Sequence, residues 1–256
     1  MVRLIASDID GTLLQNGETE IPGEIFDEIH RLERKGIFFC PASGRQYHSM
    51  RRLFAPVADK VPFLCENGAV IFGPGSPGPV LVKIPMPRHD ADAVCRDILD
   101  HPELEVLISG ERTSYLCTRG NDIVHLIRDV TGNNTVIVPR PEDVPEDIVK
   151  IAAYCPRGTS PYEREMADRW GGRFHVAVAG ETWLDFTLAD KGTGLAALCG
   201  ALGYDMSEVM AFGDNFNDLS MLQSVGHPYL MENASDVLKA MFPTRCVHVA
   251  DVLRTL

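Results

Sequence analysis

Two aspartates stand two positions apart where the first apolar run ends, in Ser7-Asp8-Ile9-Asp10-Gly11-Thr12. In an extended segment, residues i and i+2 project to the same side. Both carboxylates can therefore face one small volume, with Gly11 letting the chain turn away. Like charges held this close resist joint ionisation, so the pair calls for a cation or for chemistry that uses the proton. Three more apolar-to-polar breaks lie far along the chain: Ser43-Gly44-Arg45, Asp190-Lys191-Gly192, and Gly213-Asp214-Asn215-Phe216-Asn217-Asp218. In open parallel sheets, ligands bind beyond the carboxyl ends of the strands, which is where these residues would collect.

The chemistry follows from the residue types. Asp214 after its apolar strand adds a third carboxylate to Asp8 and Asp10, and three carboxyl groups at neighbouring strand ends make a hard-oxygen site suited to Mg²⁺. A carboxylate can also be a nucleophile toward phosphorus, with a neighbour two residues on protonating the leaving oxygen and later activating water. The Lys191 ammonium and the Ser43 hydroxyl are suited to holding phosphoryl oxygens. Each piece alone has a plainer explanation. Asp-x-Asp and Ser-Gly-Arg make turns, Lys-Gly at a helix start is surface charge, and Asn-Asp before a leucine caps a helix. The four together, in this order, favour the site.

The elements that must position them alternate short apolar runs with helix-period segments, the signature of a parallel sheet with helices packed on it. Strands are expected at Val2–Ala6, Ile37–Cys40, Phe63–Cys65 and Glu208–Phe212. Helices are expected over Glu24–Lys35, stopped at Gly36, and over Lys191–Leu202, Asn217–Val225 and Asp236–Met241. Pro41 donates no ladder hydrogen bond and is expected at a strand's end. After the GPGSPGP turn (73–79) the texture changes, and residues 86–184 read as an α+β unit inserted into the first, whose strand–helix pattern then resumes. Helices are expected there at Asp92–Leu99, Ile123–Val130 and Tyr162–Trp170. Strands are expected at Val106–Ser109, Ser114–Thr118, Thr135–Val138, Val149–Tyr154 and His175–Ala179. The fold expected is α/β: a doubly wound, Rossmann-like parallel-sheet core from 1–85 and 185–256, with an α+β cap from 86–184.

Composition narrows the partners. A chain of 256 residues with 45% hydrophobic and 23% charged residues is ordinary for a globular protein. Its formal charge of −12, with no basic stretch, argues against nucleic-acid and anionic-membrane surfaces. No apolar run reaches membrane-spanning length, and the N-terminus meets an aspartate too early for a signal peptide; a cytoplasmic protein is expected. Seven cysteines without a Cys-x-x-Cys pair, mostly in apolar settings, read as buried reduced thiols rather than a disulfide framework or zinc site.

In order, DIDGTLL (8–14), SGR (43–45), Lys191-Gly192 before a helix, and GDNFND (213–218) resemble the four motifs of the haloacid dehalogenase superfamily of phosphotransferases. An insert of this size between the second and third motifs is similar to the Cof-type branch, as are ENGA (66–69) and MENA (231–234). The resemblance implies Asp8 as nucleophile, Asp10 as general acid and base, and Ser43, Gly44, Lys191 and Asn217 around the phosphate. It implies Mg²⁺ held by Asp8, the backbone carbonyl of Asp10, and Asp214, with Asp218 behind them or reaching the ion through water. Ser43 replaces the branch's more usual threonine and keeps the hydroxyl. Glu232 replaces a small residue and is expected to face solvent. The activity implied is Mg²⁺-dependent hydrolysis of a small phosphorylated metabolite, such as a sugar phosphate, through an aspartyl-phosphate on Asp8. A phosphomutase would use the same motifs, and a non-catalytic phosphoacceptor module would have little use for Asp10 or for a large cap.

Overall fold

The first apolar run forms a central strand. Leu4–Ser7 lies between Phe38–Pro41 and Val209–Gly213, parallel to both, with Ser7 level with Pro41 on one side and Phe212 on the other. His227–Met231 and Arg245–Cys246 extend the same sheet, also parallel, beyond Val209–Gly213. The computed structural model describes residues 1–15, 17–120 and 122–256. Because the three central strands end within one residue of one another, the residues after them (Asp8, Ala42-Ser43 and Asp214) emerge at one edge.

The reason these strands read as continuous apolar runs is burial on both faces. Leu4 and Ala6 pack with Leu195, Leu198, Val209, Ala211 and Leu222, joining the sheet to the helices Lys191–Leu202 and Leu219–Ser224. Ile5, equally buried between them, turns to the opposite layer. The helix Gly23–Arg34 buries Ile25, Ile29 and Leu32, and Gly36 ends it in a left-handed conformation (φ 75°) that glycine adopts without steric cost. Pro41 is indeed the last residue of its strand. Next to it, the Ala42 N–H reaches the Ser7 carbonyl at 2.8 Å.

Phe63–Cys65 is not a further strand of the parallel series. It pairs antiparallel with Val70–Phe72 in a separate sheet that Val80–Lys83 completes, and it meets the parallel sheet only through a bridge between Ala42 and Leu64. The tight Glu66-Asn67-Gly68 turn returns the chain at once, which a parallel crossover cannot do.

The chain packs into two units: Met1–Ser43, Met50–Val82 and Asp190–Leu256 form one, and Gly44–Ser49 with Lys83–Ala189 form the other. The second holds a six-stranded sheet ordered His175–Val178, Trp183–Thr187, Lys150–Tyr154, Glu105–Ser109, Ser114–Cys117 and Thr135–Ile137, antiparallel except for the last pair. One face carries the helices Arg88–Leu99 and Ser160–Trp170 over Val106, Ile108, Ile151 and Phe186. On the other, Leu107, Leu116 and Ala152 pack with Ile123, Val124 and Ile127. The strand Trp183–Thr187 was not expected. Asp185 interrupts its apolar pattern, and the structure explains the interruption, because Asp185 is buried and lies 3.4 Å from the buried Lys150 ammonium. Among the described residues all seven cysteines are free, and no helix is long and apolar enough to cross a membrane.

Removing one partner of a buried ion pair leaves the other charge uncompensated, at about 3–5 kcal/mol. Lys150→Met and Asp185→Leu should each cost that much in urea unfolding. The double variant should lose less than either single one.

Candidate active site

Asp8 stands one residue beyond the central strand, its N–H bound to the Phe212 carbonyl at 3.0 Å and its side chain nearly buried. Opposite it, Lys191 opens its helix behind a capping box. The Asp190 side chain accepts from Thr193 N–H at 2.8 Å, and Thr193 Oγ1 accepts from Asp190 N–H at 3.0 Å. That cap satisfies the first helix donors and points Lys191 inward, where it has no solvent exposure. Its Nζ donates to Asp8 Oδ1 at 2.5 Å and to Asp218 Oδ1 at 2.6 Å.

Asp214 and Asp218 come from one short loop. Asp218 Oδ2 accepts from the N–H groups of Asp214 (3.0 Å) and Asn215 (3.1 Å), tying the loop to itself. Thr12 Oγ1 donates to Asp214 Oδ1 at 2.9 Å. Gly11, at φ 89°, passes so close that a Cβ there would stand 2.3 Å from Asp214 Oδ2. A Cβ on Gly213 would fall 2.5 Å from Asp218 Cβ. Both positions need glycine for the carboxylates to come together. One carboxylate oxygen from each of Asp8, Asp214 and Asp218 lies within 4.8 Å of the others.

The electrostatics are those of an acidic cluster with one cation inside it. Burial raises the Asp8 carboxyl well above its ordinary range, the Asp218 charge adds to that, and Lys191 opposes it. Burial likewise raises Asp214, against the hydrogen bond from Thr12. Burial by itself would lower the Lys191 ammonium, but the charges of Asp218 and Asp8 overturn this and hold it above its usual value. With all three ionised, the carboxylates would exceed the one ammonium by two negative charges, and burial together with that repulsion raises Asp8 and Asp214. Hard oxygen donors with that excess fit a divalent cation such as Mg²⁺.

Of the residues expected at the site, Asp8, Lys191, Asp214 and Asp218 converge. One Asp218 oxygen lies with those of Asp8 and Asp214, and Asp218 shares Lys191 with Asp8. Asp10 and Asn217 are exposed, and Asn215 is the residue that caps the loop, accepting from Phe216 N–H at 2.8 Å. Ser43 is buried, its N–H bound to the Leu64 carbonyl and its carbonyl bound to Asn67 N–H, both at 3.0 Å. Gly44 packs with the second unit, where its carbonyl accepts from Lys150 Nζ at 2.8 Å. Glu232 is exposed and pairs with Arg245 at 3.3 Å.

Three supporting residues escaped the sequence reading. Thr12 orients Asp214, Asn233 Nδ2 donates to the Gly11 carbonyl at 2.8 Å, and Ser220 Oγ accepts from Gly192 N–H at 3.1 Å. Thr12 and Asn233 lie inside motifs already noticed, DGT and MENA. Their hydroxyl and amide were the available signal.

Comparison with known proteins agrees with the geometry. A family model described as haloacid dehalogenase-like hydrolase matches residues 5–250. The chain belongs to that family. It is 26% identical over 242 residues to the 5-amino-6-(5-phospho-D-ribitylamino)uracil phosphatase YbjI of Escherichia coli, covering 93% of this chain and 88% of that protein. It is 26% identical over 263 residues to the pyridoxal phosphate phosphatase YbhA of the same organism, covering 93% and 90%. A crystal structure from Eubacterium rectale superposes with a TM-score of 0.87 at 31% identity, over 99% of this chain and 98% of that one. The family read from the ordered motifs is the family found, and these likenesses run over nearly the whole chain, insert included.

The sign of the Asp8 shift sets a stability test. A carboxyl raised on folding contributes stability at low pH that is lost as pH rises through its folded value, so at neutral pH its ionisation burdens the fold. In EDTA at pH 7, Asp8→Asn should raise Tm, by about 2–4 °C for each kcal/mol relieved. Differential scanning calorimetry of both forms reads this directly.

Proposed function

We propose that the chain is a Mg²⁺-dependent phosphatase that hydrolyses a small phosphorylated metabolite through an aspartyl-phosphate on Asp8. The observation that carries this reading is the buried Lys191 ammonium shared by Asp8 and Asp218, with Asp214 alongside. Such an arrangement places a carboxylate nucleophile beside a fixed positive charge, and a structural ion pair would need only one of the three acids.

In the first half-reaction, an Asp8 oxygen attacks phosphorus. The bond from phosphorus to the substrate's ester oxygen breaks, and the Asp10 carboxyl gives its proton to that oxygen. In the second, the Asp10 carboxylate takes a proton from water as the water oxygen attacks phosphorus, and the Asp8–phosphorus bond breaks to release inorganic phosphate. The exposure of Asp10 suits a group that must exchange protons with a leaving alcohol and with water. Lys191 and Ser43 hold the phosphoryl oxygens, joined by Gly44 and Asn217, and Lys191 offsets the charge that gathers in the transition state. Asp8, Asp214 and the Asp10 carbonyl would hold Mg²⁺, with Asp218 anchoring the loop that carries Asp214. When bound, the ion supplies positive charge that lets an anionic carboxylate approach an anionic phosphate.

Both relatives named above act on phosphates of ring-bearing compounds, and this is why those two compounds head a substrate panel. Sugar phosphates and nucleotides complete it. Phosphate release should require Mg²⁺, vanish in EDTA and return when the ion is restored. Asp8→Asn should lower kcat by at least about 1000-fold with the fold intact. Substantial hydrolysis of an aryl phosphate by that variant would overturn the assignment of the nucleophile, and an isomerised sugar phosphate in place of free phosphate would make the enzyme a mutase.

A further inference from the structure

Among the described residues, only two residues other than glycine take positive φ. They are adjacent: Glu66 at 51° and Asn67 at 56°, followed by Gly68 at 97°. Asparagine tolerates this region, but glutamate has no particular aptitude for it. Conformations of this kind persist only where the surroundings over-determine them.

The surroundings here are the two phosphate-binding candidates. On one side, Asn67 N–H donates to the Ser43 carbonyl and Ser43 N–H donates to the Leu64 carbonyl, both at 3.0 Å. The backbone on each side of the Ser43 side chain is thus tied to the Leu64–Asn67 segment. On the other side, the turn rests directly on the first turn of the Lys191 helix. A Cβ on Gly68 would stand 2.5 Å from the Asp190 carbonyl oxygen and 3.1 Å from Gly194 Cα, and a Cβ on Gly194 would stand 2.6 Å from Gly68 Cα. Neither glycine leaves room for a methyl group, and the obstacle in each case is main chain, which cannot swing aside. The same helix turn is pinned from a second direction, where a Cβ on Gly192 would meet the Ser220 carbonyl at 2.6 Å.

We propose that the left-handed Glu66–Asn67–Gly68 turn is the gauge that sets the spacing between Ser43 and Lys191, with Asn67 and Gly68 acting as positioning residues through their backbone. What Ser43 and Lys191 bind rests on the phosphatase reading above. The turn hydrogen-bonds one of them and abuts the helix of the other, while Asp8 and Asp214 take their places from the strands Leu4–Ser7 and Val209–Gly213. A disturbed turn should therefore damage phosphoryl stabilisation and leave the metal requirement alone.

The test compares Gly68→Ala, Gly194→Ala and Asn67→Gly on an aryl phosphate, with inorganic phosphate as a competitive inhibitor and active enzyme counted by burst titration. Gly68→Ala and Gly194→Ala should each lower kcat by about 10- to 100-fold, the scale expected of a misplacement near 1 Å. Phosphate inhibition should weaken, while the Mg²⁺ concentration for half-activation stays within about twofold. Asn67→Gly keeps the backbone conformation without the side chain, and should retain kcat within about threefold. Wild-type kcat and phosphate affinity in both alanine variants would overturn the gauge and leave the phosphatase reading standing. An Asn67→Gly loss as deep as theirs would overturn it too, by assigning the role to the carboxamide. A wild-type protein that neither turns over phosphate esters nor binds phosphate would remove the phosphatase reading, and the gauge with it.

Discussion

A lysine with no solvent exposure, clamped between two aspartates, is the constraint around which the first unit is arranged. Desolvating three carboxylates and an ammonium is expensive, and the attraction among them offsets this only if the geometry is good and the remaining lone pairs are bonded. The structure meets that condition from several directions. Asp218 takes two main-chain N–H groups, Asp214 takes the Thr12 hydroxyl, and a capping box aims the lysine. An excess of acid nevertheless remains, as the raised carboxyls of Asp8 and Asp214 show. The fold holds this cluster in a state suited to a cation more than to its own stability.

Close approach is the means by which remote segments reach that cluster. Gly11 against Asp214, Gly213 against Asp218, Gly192 against Ser220 and Gly68 against Gly194 are four places where a single methyl group would displace a site carboxylate or force main chain away. Each sits beside a charged residue of the site. Parallel strands that end within one residue of one another bring the loops to one edge, and missing side chains let them touch there. Register supplies the coarse placement and glycine the fine one.

Much of this was legible in the sequence, for identifiable reasons. Asp8, Lys191, Asp214 and Asp218 were legible because each lies in a short polar, glycine-bearing stretch that interrupts the apolar pattern, and charged residues are seldom found there without a partner. The helix Gly23–Arg34 was legible from the spacing of Ile25, Ile29 and Leu32. Phe63–Cys65 was misread as part of the parallel series because three buried apolar residues do not reveal the direction of the neighbour they pair with. Trp183–Thr187 was passed over because Asp185 breaks its alternation, and its partner Lys150 lies thirty-five residues earlier in the chain. Thr12, Asn233 and Ser220 act through single hydrogen bonds to distant segments. No local pattern encodes such a bond.

The order of strands in the parallel sheet has a consequence for biosynthesis. Leu4–Ser7 is translated long before Val209–Gly213, one of its two neighbours in the sheet. Every strand of the six-stranded sheet finds its partners between Glu105 and Thr187, so that sheet has all its pairings available while the strand that leads into Asp8 still has an open edge. Long-range pairing of this kind is slow and leaves an apolar edge exposed to other chains. The acid cluster therefore assembles only when Val209–Gly213 docks beside Leu4–Ser7, and a nascent chain short of residue 209 has no means of forming it.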